Sequence, residues 1–321
     1  MVCLYVDDLL VTGESMNEIE GSKKKMKTEY DMTDLGRLSY FLGLEFTETT
    51  SEVFLHQKRY VSEVLKRFNM MNCNSTTVLM TANLKLTEHK EEKSVDASLY
   101  KQIMGSLRYI CNSRPDISYR VGILSRYMSE PKQTHLLAAK HILRYLKGTI
   151  NYSLMFTRMT NNIGSTLEVW CDSDWSGYQI DRRSTFGYFV KFAGAPISWC
   201  SKKQSVVTLS SCEAEYMASA ETTCQCLWLE ALLKDLKIEC RIPIQLMVDN
   251  KSAINLSKNQ VFHGRSKHIG TKFHFLKNLV NQGRIELLHC LTDVQIADIF
   301  TKALRFNRFE ALRDMLNVKT F

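Results

Sequence analysis

The sequence predicts an α/β (α+β) chain of two successive units, and three observations carry that expectation. Short runs rich in β-branched and aromatic residues alternate with amphipathic helical stretches. A length of 321 residues is enough to bury more than one core. The stretch Leu167–Gly177, LEVWCDSDWSG, reads as a strand whose alternation sets Leu167, Val169 and Cys171 on one face and Trp170, Asp172 and Asp174 on the other. Two carboxylates leaving one strand end need a cation, a basic partner or water. A wet turn at Ser176 and Gly177 meets that need as well as a site does, so the other acids of the chain decide between them.

Composition narrows the class. With 45% hydrophobic and 24% charged residues, and no repeat or low-complexity tract, the chain reads as a globular protein. The net charge of +8 favours a polyanionic partner, although proteins that bind nothing carry such an excess too. Ten cysteines without paired spacing read as reduced thiols in an intracellular compartment, and Cys224-x-Cys226 has no second pair to complete a zinc site. The apolar runs are too short for a membrane span, so a soluble protein with no membrane contact is expected.

The first unit is expected over residues 1–150. MVCLYVDDLLVTG reads as a hairpin with Asp7 and Asp8 at its tip. Residues 15–30 are charged and helix-prone, and Tyr40–Phe46 reads as one strand paired with Val53–Leu55. A helix over Lys58–Asn69 carries Val61, Val64, Leu65 and Phe68 on one stripe. A polar connection over Asn83–Ala97 precedes helices at 98–112, 116–128 and 132–147, the first two separated by Arg114-Pro115.

A linker over 151–166 leads to the second unit, 167–305, and 306–321 reads as a C-terminal tail. Strands at Leu167–Asp172, Thr185–Phe192 and Ile197–Lys202 suggest a hairpin-linked antiparallel set. A long helix, capped at Ser210-Ser211, runs to about Leu236 and is apolar or small on both sides, as a sandwiched helix is. Its small-residue side, with Ser219, Thr222 and Cys226, suits close approach to a sheet and is led by Glu215; Glu213 leads the bulky side that holds Trp228. Ile244–Val248 is a strand ending in Asp249, a common site position and equally an ordinary cap, with Asn250 and Ser252 opening a short helix. Thr292-x-x-Gln295 reads as the capping box of a final helix, with Asp298 in its second turn.

Asp172, Glu215, Asp249 and Asp298 therefore stand on separate elements. Convergent carboxylates of this kind suit two Mg²⁺ ions about 4 Å apart, with Mn²⁺ as the alternative, because the cations cancel what is otherwise strong repulsion. Solvated acids on separate surfaces are the competing outcome.

Specific strings add a resemblance. Tyr5-Val6-Asp7-Asp8 resembles the polymerase signature of reverse transcriptases. YFLGLEF, Gly105–Tyr109, Arg114–Ile117, Leu124–Arg126 and Ala138–Thr149 follow in the order of the copia-type LTR retrotransposon Pol polyprotein. In the second half CDSDW, Arg182-Arg183-Ser184-Thr185-x-Gly187-Tyr188, Trp199-x-Ser201-Lys202-Lys203-Gln204, SSCEAEYMA, VDNKSAI, Arg265-x-Lys267-His268-Ile269 and QIADIFTKAL resemble the ribonuclease H of that family. The resemblance implies a truncated reverse transcriptase palm and connection, followed by a ribonuclease H-like mixed sheet with flanking helices. It assigns the catalytic and metal-binding roles to Asp172, Glu215, Asp249 and Asp298, with Asp174 and Glu213 in reserve. Asp7 and Asp8 remain as a polymerase remnant, with no polymerisation expected from this chain alone because the earlier palm strand is absent.

An RNA/DNA hybrid is the implied partner, met by Arg182, Arg183, Lys202, Lys203, Asn250 and Lys251, which without the motif context read as a solvated face. None of His263, His268, His274 and His289 receives a catalytic role. Association with other Pol-derived chains or a second copy, in a cytoplasmic particle or the nucleus, completes the expectation. A non-enzymatic nucleic-acid-binding remnant and a degenerate, poorly folding fragment are the alternatives to a nuclease.

Overall fold

A computed structural model of the chain describes every residue except 14, 80–85, 87–91, 159–165, 179 and 259–269. Most of the connection expected over Asn83–Ala97, part of the expected linker, His263 and the Arg265-x-Lys267-His268 string lie outside the described residues.

The N-terminal hairpin consists of β1 (Val2–Tyr5) and β2 (Asp8–Val11), with Tyr5 opposite Asp8 and the turn between them at Val6 and Asp7. It forms a sheet of its own, and its Tyr5 meets Phe41 edge to face at 6.5 Å. Helix α1 (Met16–Glu29) is capped by the Ser15 hydroxyl and buries none of its residues, as its charge content dictates. The strand expected over Tyr40–Phe46 is instead a hairpin, β3 (Tyr40–Phe41) and β4 (Leu44–Glu48). The chain reverses at Leu42 and Gly43, both at positive φ. A side chain on Gly43 would also overlap the Tyr109 hydroxyl, which donates to the Leu42 carbonyl.

Strand β5 (Glu52–His56) pairs with β4 and leads into α2 (Lys58–Arg67), followed by α3 (Ala97–Ile110), α4 (Ser118–Leu124) and α5 (Gln133–Gly148). Their apolar stripes bury Val64, Leu65, Met104, Leu107, Ile142 and Leu143. Between α3 and α4, Arg114 pairs bidentately with Asp116 at 2.9 and 2.7 Å. The Tyr145 hydroxyl donates to Asp116 at 2.8 Å, and Arg114 donates to the Thr149 carbonyl at 3.1 Å, which closes a buried network. Strand β6 (Tyr152–Thr157) then pairs with β5, so a segment expected to be linker belongs to a sheet.

The second sheet follows: β7 (Leu167–Ser173), β8 (Thr185–Phe192) and β9 (Ala195–Lys203) are antiparallel. After α6 (Ser211–Asp235), β10 (Ile244–Val248) pairs parallel with β7. Helices α7 (Lys251–Lys258) and α8 (Gly270–Asn281) then lead to β11 (Ile285–His289), parallel to β10. The order β11-β10-β7-β8-β9 gives the mixed sheet with flanking helices that the family resemblance implies. Helix α6 departs from expectation in its second half, where only the Cys226, Leu229 and Leu233 side is covered and Trp228 is exposed.

The final helix expected around Asp298 is two 3-10 turns, Thr292–Val294 and Ile296–Phe300. Gln295 acts between them rather than inside a capping box: its amide donates to the Cys171 carbonyl at 2.9 Å and its oxygen accepts from Ala297 N–H at 3.2 Å. That tether to β7 holds the backbone out of an α-helical path. The expected tail is also corrected: α9 (Phe306–Met315) leads to β12 (Val318–Thr320), which pairs antiparallel with β6 and completes the order β12-β6-β5-β4-β3.

One face of β7, with Leu167, Val169 and Cys171, packs under α6 and α8. The opposite face of that sheet joins a core shared with the first unit, in which Phe189, Ile296, Ile299 and Phe300 meet residues of α3 to α5 and Leu312 and Leu316 of α9. Trp199 donates to the Cys111 carbonyl at 3.0 Å and Arg126 to the Thr185 hydroxyl at 2.8 Å across the same junction. Among the described residues no helix is long and apolar enough to cross a membrane.

Candidate active site

Parallel pairing builds the first part of the site. Trp170 on β7 lies opposite Met247 on β10, so Asp172 and Asp249, each two residues further on, emerge at the same end of the sheet. Glu215 comes from the first turns of α6, whose start is fixed by Ser210 accepting from Glu213 N–H at 3.2 Å. The small side of that helix brings the Ser219 hydroxyl to 3.5 Å from Cys171 Sγ. One turn earlier, Glu215 therefore reaches the strand end and accepts from Ser173 N–H at 3.1 Å. One carboxylate oxygen each from Asp172, Glu215 and Asp249 lie within 4.8 Å of one another.

Asp298 arrives from the opposite face and stands outside that three-oxygen group. Gly187 pairs with Asp172, and a Cβ at this glycine would overlap Phe300, so its absence lets the Ile296–Phe300 turn lie directly on the sheet. The Ser201 hydroxyl fastens that turn by donating to the Phe300 carbonyl at 2.6 Å. Lys302 joins the two parts: its Nζ lies 2.9 Å from Asp172 Oδ1 and 2.7 Å from Asp298 Oδ1. The Thr301 hydroxyl donates to the other oxygen of Asp172, and Arg308 stands 3.5 Å from Asp298.

Asp172, Glu215 and Asp298 are 0, 4 and 3% exposed, so their charges act through a poorly screening medium. Burial first, then Asp172 and Asp249, push Glu215 well above the usual carboxylate range. Asp298 is raised by burial and by Asp172, and Asp249 chiefly by burial. Glu215 Oε2 is buried and has no hydrogen-bond partner among the described residues. Hard oxygen donors, an excess of acids over bases and one orphaned carboxylate oxygen suit a divalent ion such as Mg²⁺.

The reserve acids are engaged in local structure. Asp174 accepts from Thr185 N–H, and burial raises it to about 6. Glu213 accepts from Leu209 N–H at 2.8 Å at the start of α6. Of the candidate nucleic-acid contacts, Arg182, Lys202 and Lys251 are exposed. Arg183 and Lys203 face Asp181 at 3.8 and 2.7 Å, and Asn250 accepts from Ala253 N–H at 3.0 Å as an N-terminal cap. Asp7 and Asp8 are exposed on their hairpin and enter no cluster of three potential metal ligands among the described residues. His289 ends β11, where it pairs with Val248, the residue before Asp249.

Sequence reasoning passes over Thr301, Lys302 and Arg308. The one signal for Lys302 is its place four residues after Asp298, a spacing at which opposite charges meet on a helical turn.

Residues 1–82 match the family described as reverse transcriptase (RNA-dependent DNA polymerase). The chain is 38% identical over 315 residues to a retrovirus-related Pol polyprotein from transposon RE1 of Arabidopsis thaliana, covering 98% of this chain and 21% of that protein. It is 34% identical over 224 residues to a putative transposon Ty5-1 protein of Saccharomyces cerevisiae, covering 69% of this chain and 72% of that one. The chain thus spans about a fifth of the length of the large polyprotein it matches. Among solved structures it is similar to the N-terminal RNase H domain of a Mycobacterium tuberculosis protein, with 13% identity and a TM-score of 0.33, covering 47% of this chain and 98% of that one.

Proposed function

This chain belongs to the copia-type retrotransposon Pol polyprotein family, and from that premise we propose that it is a metal-dependent ribonuclease H that hydrolyses the RNA strand of RNA/DNA hybrids. The observation that carries the proposal is the meeting of Asp172, Glu215 and Asp249 at one sheet end, with Glu215 Oε2 buried and unpartnered. Those three acids would hold one divalent ion, and Asp172 with Asp298 a second. When bound, such ions supply an activated water for in-line attack at phosphorus and stabilise the leaving oxygen.

The protein's own residues preorganise the carboxylates. Ser173 N–H orients Glu215, the Thr301 hydroxyl fixes one oxygen of Asp172, and Gln295 ties the Asp298 turn to β7. Exposed Arg182, Lys202 and Lys251 supply phosphate contacts to the hybrid, whose 2′-hydroxyls distinguish the strand to be cut.

A labelled RNA/DNA hybrid incubated with Mg²⁺ tests the proposal. Wild type should cut the RNA strand, and Asp249→Asn should do so at least about a hundredfold more slowly, since charge stabilisation of several kcal/mol is lost. Hybrid that wild type binds tightly but leaves intact would establish a non-catalytic binding protein instead.

A further inference from the structure

We infer that Lys302 is the resident cation of the Asp172–Asp298 half of the centre, and that a divalent ion bridging those two carboxylates has to displace it, an assignment that rests on the metal-centre proposal above. At 2.9 and 2.7 Å, both Lys302 contacts are charge-assisted hydrogen bonds of ordinary strength. The geometry divides the centre in two. Asp172, Glu215 and Asp249 converge on one side, where Ser173 N–H donates to one carboxylate oxygen of Glu215. On the other side Lys302 already supplies positive charge to the oxygens a second ion would use.

Arg308 does not share this role. Among the described residues it stands 3.5 Å from Asp298 and pairs with no other acid of the centre, and its guanidinium donates to the carbonyls of Thr292 and Asp293. Lys302 has somewhere to go: its side chain is 38% exposed against 0% for Asp172, and it lines a cleft with Tyr119, Arg120, Ile299 and Phe306. Withdrawal therefore needs a change of side-chain rotamer and not of backbone. A site open for a fraction of the time binds with an affinity lowered by that fraction, so a lysine in place nine-tenths of the time weakens the second ion about tenfold. Lys302 thus acts as a positioning residue that makes ion uptake sequential, the Glu215 side filling first.

Titration of the chelator-treated full chain with Mn²⁺, counting free ion by electron paramagnetic resonance, reads this without any turnover. Wild type should take up one ion more tightly than the other. Lys302→Met should tighten the second ion about tenfold and the first by much less, while Lys302→Arg should keep the wild-type pattern. Lys302→Gln, which retains hydrogen-bond donors without charge, repeats the test with less disturbance to folding and should also tighten the second ion. A second-ion affinity within about twofold of wild type in the Met and Gln variants overturns the inference while leaving a two-ion centre intact. A wild-type chain that takes up no ion overturns the metal-centre proposal itself, and the role of Lys302 with it.

Discussion

The buried Arg114–Asp116 cluster and the acid cluster at the end of the second sheet are built on opposite terms. In the first unit Arg114 and Asp116 are 3 and 1% exposed, and the pair is completed by Tyr145 and Thr149, so a cation and an anion cancel and their hydrogen bonds are met. At the end of the second sheet, Asp172, Glu215, Asp249 and Asp298 outnumber Lys302 and Arg308, and an oxygen of Glu215 is left unmet. Burial of charge is common to both, so burial alone does not mark a site. The imbalance does, because a closed pair needs nothing further while an open acid group keeps a standing demand for cations.

The sharpest way to break this contrast is to remove one member of each cluster and compare stabilities by urea denaturation in chelator. Asp116→Ala should cost about 3–5 kcal/mol, because Arg114 is left charged and buried. Glu215→Gln should stabilise the fold at neutral pH instead. The sign follows from the raised carboxyl: the contribution of Glu215 is fully present below the ordinary carboxyl pKa and is lost as pH rises through the raised one. Gln cannot ionise, so its advantage over wild type should grow as pH rises from about 4. Comparable losses in the two variants would abolish the distinction.

Asp174 tests the middle ground. It lies two residues beyond Asp172, is raised to about 6 chiefly by burial, and is partly compensated by Thr185 N–H and Arg126. Its contribution should be present below about pH 4 and lost between there and the folded value near 6. Wild type should therefore lose about 1–3 kcal/mol relative to Asp174→Asn across that window, and nothing further above it. Denaturation curves at successive pH values check this, and a difference independent of pH would place Asp174 with the closed pair.

Local chemistry explains what could be foreseen. The cap at Ser210 and the stripes of α2 and α5 are set by neighbouring residues, so pattern and propensity suffice. That Asp172 and Asp249 each stand at the end of an apolar strand is legible for the same reason, whereas their convergence needs the parallel pairing of β7 with β10, which residue patterns do not give. Strand β12 is not legible. Three residues carry no alternation, and the partner is remote in the chain, with Ser153 donating to the Lys319 carbonyl across 166 positions. Residue patterns are equally silent about Gln295, whose tether to Cys171 turns an expected helix into 3-10 turns, and about Arg126 and Trp199, whose partners lie in the other unit. Lys302 stands within a string noticed for its acid, and its role depends on Asp172, which is 130 residues away.

The same question of whether a charge is already answered separates two neighbouring lysines on β9. Lys203 Nζ lies 2.7 Å from Asp181 and 4.8 Å from the centre of the Tyr178 ring, whereas Lys202 points to the other face and is exposed. A lysine that meets a phosphate releases counterions from the nucleic acid, and each such contact adds about 0.7–0.9 to the slope of log affinity against log salt. Lys202→Ala should therefore lower the slope for hybrid binding by about that amount, with an affinity loss of about 1 kcal/mol. Lys203→Ala should lower it by less, because Asp181 remains to repel the phosphate that the lysine would have met. Measured on the slow-cleaving Asp249→Asn background, equal slope changes for the two lysines would mean that the Lys203–Asp181 pair opens when the hybrid docks, and that pairing at this edge of the sheet does not decide which cations read the backbone.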